Sequence, residues 1–170
     1  MSDLTVVSLP YADDLIEHYQ ALSDLPGFVL LESSDKQQGR YDIVTALPYD
    51  CFRVTSDSSS IEYALSELQS KLPSVPSTCH LPFQGGAIGY VAYDFGARLA
   101  GVQSVAHPCN QMPYIDMKLY DWAIIADHKN KQVSLIAAHR DANTANTIEK
   151  MIKRWMRAPQ HAPEVDRKST

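Results

Sequence analysis

The segment from Glu32 to Tyr41, ESSDKQQGRY, carries the side chains of this chain best suited to holding a small charged molecule. Ser33, Ser34, Lys36, Arg40 and Tyr41 place hydroxyls, cations and an aromatic ring between two short apolar stretches, and Glu32 adds a carboxylate. A zwitterion such as an amino acid needs this combination, with donors for its carboxylate and an acceptor for its ammonium group. The same composition also describes an ordinary solvated hairpin loop, and the residue types alone favour that plainer reading.

A second candidate is the glycine-rich run Gln84-Gly-Gly-Ala-Ile-Gly89 inside LPFQGGAIGYVAYDFGARL. Closely spaced glycines suggest a phosphate cradle, but the G-x-G-x-x-G register is missing, no G-K-[ST] follows, and Tyr90 to Asp94 reads as strand rather than as a helix start. A strand with a bulge or a close backbone approach is the better reading. The six histidines show no metal-ligand spacing and no G-x-S-x-G elbow is present, so neither a metal nor a catalytic residue is assigned. Tyr93–Asp94 and Tyr120–Asp121 could do acid–base work, although an aspartate at a strand end more often satisfies a turn.

These residues need elements to position them. Periodicity predicts a helix over about Tyr11 to Leu22, a strand at Phe28–Leu31, a second strand at Asp42–Leu47, and a third at Cys51–Thr55 paired with the second. Ser59 and Glu62 have capping-box spacing ahead of a helix bearing Ile61, Ala64, Leu65, Leu68 and Leu72. Pro73 to Gln84 reads as a surface loop. Met117–Asp127 and Gln132–Ala138 form a hairpin across His128–Lys131, and a last helix runs from about Asn143 to Met156. The order predicts an α+β fold, mainly antiparallel sheet with helices packed outside. One domain is expected over 1–157, with 158–170 a disordered tail or the start of a linker.

The chain has 170 residues, 45% of them hydrophobic, and a net charge of −5, which argues against nucleic acid or an anionic membrane as its main partner. No apolar run reaches bilayer-spanning length, and the N-terminus does not read as a signal peptide. Three dispersed cysteines without a C-x-x-C pair predict free thiols and a cytoplasmic setting.

Taken together, GFVLLESS, GRYDIVTALP, LPFQGGAIGYVAYDFGARL and LYDWAIIADHKNKQVSLIA resemble the N-terminal region of aminodeoxychorismate synthase component I, within the wider anthranilate synthase component I superfamily. The resemblance covers about Phe28 to Ala138. It implies a parent enzyme that converts chorismate and ammonia to 4-amino-4-deoxychorismate for 4-aminobenzoate and folate, with Mg2+ and a glutamine amidotransferase subunit. Its chorismate and metal motifs belong to a C-terminal domain absent here, so this chain is expected to be a non-catalytic fragment with no cofactor of its own. The resemblance further implies an L-tryptophan-type pocket built from Ser33, Gln38, Gly39, Arg40 and Tyr41, with Leu31 and Glu32 beside them. Two alternatives stay open: a stand-alone amino-acid-binding regulatory module, and a fragment of anthranilate synthase component I. A fragment of either enzyme is also expected to expose an apolar face and to self-associate.

Overall fold

The computed structural model describes residues 4–33, 35, 39–55, 61–72, 79–102 and 112–158. Two antiparallel sheets form the frame, and helices cover them. The larger sheet contains β1 (Thr5–Leu9), β2 (Val29–Leu31), β3 (Tyr41–Thr45), β7 (Trp122–Asp127) and β8 (Gln132–Ala137) in the order β1-β8-β7-β3-β2. The smaller contains β4 (Asp50–Val54), β5 (Gly86–Val91) and β6 (Ile115–Tyr120) in the order β4-β6-β5. The helices are α1 (Ile16–Gln20), α2 (Ile61–Lys71), α3 (Tyr93–Leu99) and α4 (Thr144–Arg157). The expected α+β class and its antiparallel sheets are present.

β7 is central and every one of its residues is buried, which is why WAIIA reads as a continuous apolar run instead of alternating before Asp127 closes the strand. On one face of the large sheet, Val44, Ile124 and Leu135 pack against Leu15, Tyr19 and Leu22 and against Ile148, Met151 and Trp155 of α4. The last three recur at helical spacing, so α4 turns one stripe to the sheet and leaves Glu149, Lys150 and Lys153 outward. The opposite face buries Ala123, Ile125 and Ile136 beneath Leu81 and Phe83. In the small sheet, Phe52, Val54, Ile115 and Leu119 pack against Ala64 and Phe95.

Several expected elements are corrected. The first helix is confined to Ile16–Gln20: Asp14 accepts the Ile16 N–H at 2.9 Å, and after Gln20 the chain continues through successive tight turns to Gly27, whose φ is 65°. β4 does not pair with β3. Leu47, with φ 56°, donates its N–H to Pro26 O, and Pro48 packs beside Gly27, so the chain leaves the large sheet and opens the small one, where β4 pairs with β6. Met117–Asp127 is likewise two strands in two sheets, divided at Asp121. Tyr93 and Asp94 begin α3 instead of ending β5, and β1 was not anticipated. Ser59 of the capping box, residues 73–78 of the proline-containing loop and 159–170 of the tail lie outside the described residues.

Glycines separate by role here. A Cβ on Gly96 of α3 meets nothing within 4 Å. Gly96→Ala is therefore expected to stabilise the fold by about 0.5–1 kcal/mol through helix propensity, read as a higher urea midpoint; a lower midpoint would contradict it.

Candidate ligand-binding site

The predicted site residues lie where β2 ends and β3 begins, beside the β7–β8 turn. Leu31 closes β2 opposite Ile43, and Glu32 follows it on the exposed side. Ser33 is tied across to the next strand twice: its N–H donates to Asp42 Oδ1 at 2.9 Å and its hydroxyl to the Tyr41 carbonyl at 2.9 Å. Gly39 donates its N–H to Asp35 O at 2.6 Å, and any Cβ at that position would collide with the side chain of Ser33. The glycine is needed for this close approach. The structure thus brings Ser33, Gly39 and Tyr41 together, while Ser34, Lys36 and Gln38 lie outside the described residues.

Arg40 faces the turn after β7. Its Nε and Nη2 donate to both oxygens of Asp127 at 3.1, 3.1 and 2.6 Å, and its guanidinium lies 4.7 Å from the Tyr41 ring centroid. The Arg40 guanidinium holds the Asp127 carboxyl below the usual carboxylate range, helped by the N–H groups of Asn130 and Lys129. A guanidinium carries five N–H donors, so Arg40 keeps further donors for an anionic ligand while Asp127 fixes its direction.

Because a depressed Asp pKa adds stability above the unfolded value and loses it as pH falls through the folded one, the pair's contribution is present at neutral pH and disappears in acid. Arg40→Ala should therefore be less stable than the parent at pH 7, with the difference closing below about pH 4. Urea midpoints at the two pH values check this, and a difference independent of pH would refute it.

Beneath the loop, on the helix-covered face of the sheet, lies a polar network that sequence reasoning missed. Asp42, 2% exposed, accepts from Ser33 N–H, from Tyr19 OH at 2.8 Å and from His128 Nε2 at 2.7 Å. A buried carboxylate is costly without donors, and three converge on this one. With Nε2 donating to Asp42, the other ring nitrogen, Nδ1, lies 3.3 Å from the Tyr11 hydroxyl. Burial and the Asp42 acceptor push the Tyr19 phenol far above its ordinary pKa, so it acts here as a proton-bearing donor. The available signal was an aspartate inside an apolar strand, which demands partners.

The other candidates resolve differently. Tyr93 is 94% exposed on the first turn of α3. Tyr120 is buried and donates its hydroxyl to Gly27 O at 2.7 Å. Asp121 accepts the N–H of Arg140 at 2.8 Å, that of Asp141 at 3.1 Å and the Thr144 hydroxyl, so it serves the distant approach to α4 and not the turn expected at its own strand end. Gly85 and Gly86 have φ of 87° and 146°, and a Cβ on Gly85 would strike the Arg140 guanidinium and lie 2.9 Å from the Tyr120 carbonyl. The glycine run is thus a close-packing element leading into a strand. Among the described residues no group of three or more His, Cys, Asp or Glu side chains could hold a metal ion. No helix of the described residues is long and apolar enough to cross a membrane.

Comparison with known proteins places this architecture. Aminodeoxychorismate synthase component 1 of Salmonella typhimurium is 34% identical over 179 residues, covering 94% of this chain and 38% of that protein. This chain is homologous to part of aminodeoxychorismate synthase component 1. The Escherichia coli protein of the same name is 33% identical, again covering 95% of this chain and 38% of its own length. The chain therefore spans less than two-fifths of these curated relatives. A crystal structure of anthranilate synthase component I from Streptococcus pneumoniae superimposes with a TM-score of 0.58 over 92% of this chain and 38% of the other, at 20% identity, and so shows a shared fold. No protein-family model matches the chain.

Proposed function

We propose that this chain is the N-terminal, non-catalytic scaffold of an aminodeoxychorismate synthase component I. Homology along 94% of its length to a protein of that name carries the reading. The parent would convert chorismate and ammonia to 4-amino-4-deoxychorismate in the cytoplasm, using Mg2+ and ammonia from a glutamine amidotransferase subunit. The chemistry belongs to the remaining part of the polypeptide. The 170-residue protein given chorismate, ammonium and Mg2+ is expected to form no aminodeoxychorismate, and joining it to the C-terminal half of its own parent is expected to restore turnover. Turnover by the chain alone refutes the scaffold role, and anthranilate as product of the joined enzyme assigns the anthranilate branch instead.

Exposed apolar side chains support a covered face: Val91, Tyr93, Leu99 and Val102 lie in or just after β5 and α3. Light scattering of the isolated chain should show association rising with concentration. A monomer throughout counts against the covered face.

The gathering of Ser33, Gly39, Arg40 and Tyr41 favours a second role, binding of an amino acid such as L-tryptophan. Ser33 and Arg40 would engage its polar end, and Tyr41 and Leu31 its apolar part. Calorimetric titration tests this: saturable binding weakened by Ser33→Ala and Arg40→Ala supports it, and a flat titration leaves the scaffold role alone.

A further inference from the structure

We infer that His128 is a positioning residue for the Ser33–Tyr41 site, acting through Asp42. The β7–β8 turn grips the start of β3 at three points. Asp127 holds the Arg40 guanidinium, the His128 N–H donates to Arg40 O at 3.0 Å, and the His128 ring donates to Asp42 at 2.7 Å. Tyr41 lies between the two residues that His128 holds. Asp42 and Tyr41 in turn hold Ser33, one by its N–H and the other by its hydroxyl. A continuous series of hydrogen bonds therefore runs from a hairpin turn to a serine more than ninety positions earlier in the chain.

The ring is the middle link, and its surroundings restrict it. Its side chain is 4% exposed, and Tyr11 OH meets Nδ1 at 3.3 Å, edge-on at a centroid separation of 6.1 Å. The oxygen that His128 bonds, Asp42 Oδ2, also accepts the hydroxyl of Tyr19 from α1, whose packing on Trp155 joins it to the helical layer, while Oδ1 is left to the Ser33 N–H. Asp42 thus receives donors from β2's end, α1 and the hairpin turn, and removing one releases the others from a common register. Orientation of a binding group by such a partner behind it is the usual way a site is kept within the tolerance that binding requires.

The test uses hydrogen exchange in the 170-residue protein and compares two variants. His128→Ala removes the ring, whereas His128→Gln keeps an N–H donor close to the position of Nε2 but offers Tyr11 no second ring nitrogen. In His128→Ala the Ser33 amide is expected to exchange about tenfold faster, the loss of one hydrogen bond to a charged group, while the Val54 and Ile115 amides of the small sheet keep their protection. His128→Gln is expected to return the Ser33 rate to within about threefold of the parent. If His128→Ala does not fold, Asp42→Asn, which keeps the shape and removes the charge, should accelerate Ser33 in the same way. An unchanged Ser33 rate, no rescue by glutamine in a folded variant, or equal acceleration throughout the small sheet overturns the inference.

A binding arm rests on the amino-acid reading proposed above. Tryptophan affinity should weaken about tenfold in His128→Ala and recover in His128→Gln. If the parent itself does not bind tryptophan, that reading fails and the exchange arm alone decides the role of His128.

Discussion

Asp121→Ala is expected to destabilise this protein by about 3–5 kcal/mol, because it strands a buried cation and removes the anchor of α4 together. Asp121 is 3% exposed, and the Arg140 guanidinium, itself 12% exposed, lies 3.7 Å from its Oδ1. Its other oxygen accepts the Arg140 and Asp141 N–H groups and the Thr144 hydroxyl. Alanine would leave these donors without their acceptor and Arg140 without its counter-charge. Asn143, the residue preceding α4, makes no side-chain capping bond, and the first residue of the helix is tied to the sheets through the Thr144 hydroxyl on Asp121. For a chain of this size the loss corresponds to a fall in melting temperature of about 10 °C or more. Asp24→Ala provides the contrast, since it breaks an ion pair to Arg154 in which both side chains face solvent, and it should shift the transition far less. Equal effects of the two substitutions would show that the buried cluster has no special role.

Gly89→Val is the second large effect, expected at about 3 kcal/mol or more. Gly89 sits within β5 opposite Met117 of β6. A Cβ there would overlap the Asp116 carbonyl oxygen and come to 2.8 Å from Met117 Cα. Both obstacles are backbone, so no rotamer change relieves them, and the two strands must separate. β6 is the middle strand of the small sheet, so displacing it also disturbs Ile115 and Leu119 against Phe95. The expected observation is a large drop in urea midpoint with early proteolysis around β5 and β6. A midpoint close to the parent's would mean that β5 can bend to admit a side chain. The contrast with Gly96, where a Cβ is accommodated, separates close packing from the general weakness of glycine in regular structure.

Local chemistry made much of this molecule legible. Ile148, Met151 and Trp155 recur at helical spacing because one face of α4 must meet the sheet, and WAIIA is apolar throughout because β7 is covered on both faces. The reading of the glycine run as close packing came from residue type and position, whereas the partners of Asp121, 19 to 23 positions away, had no local sign. The grouping of Ser33 with Gly39, Arg40 and Tyr41 came from a family resemblance and from their residue types; their placement around one strand end follows from β2 and β3 being neighbours.

Where the chain changes sheets was not legible. Leu47 and Asp121 mark the two crossings, and neither interrupts the apolar pattern strongly enough to show that the following strand pairs elsewhere. Strand periodicity reports which side of a strand is buried, but not which strand lies alongside it. The same limit hid the network behind the candidate site. Asp42 and His128 are 86 positions apart, and neither carries a local sign of the other. By itself the sequence determined the elements with strong periodicity, the demand for close backbone approach at its glycines and the kinship of the chain, since each depends on residue types at short range. Only the tertiary structure decided the division into two sheets and the donors gathered on Asp42, because both are set by burying the whole chain at once.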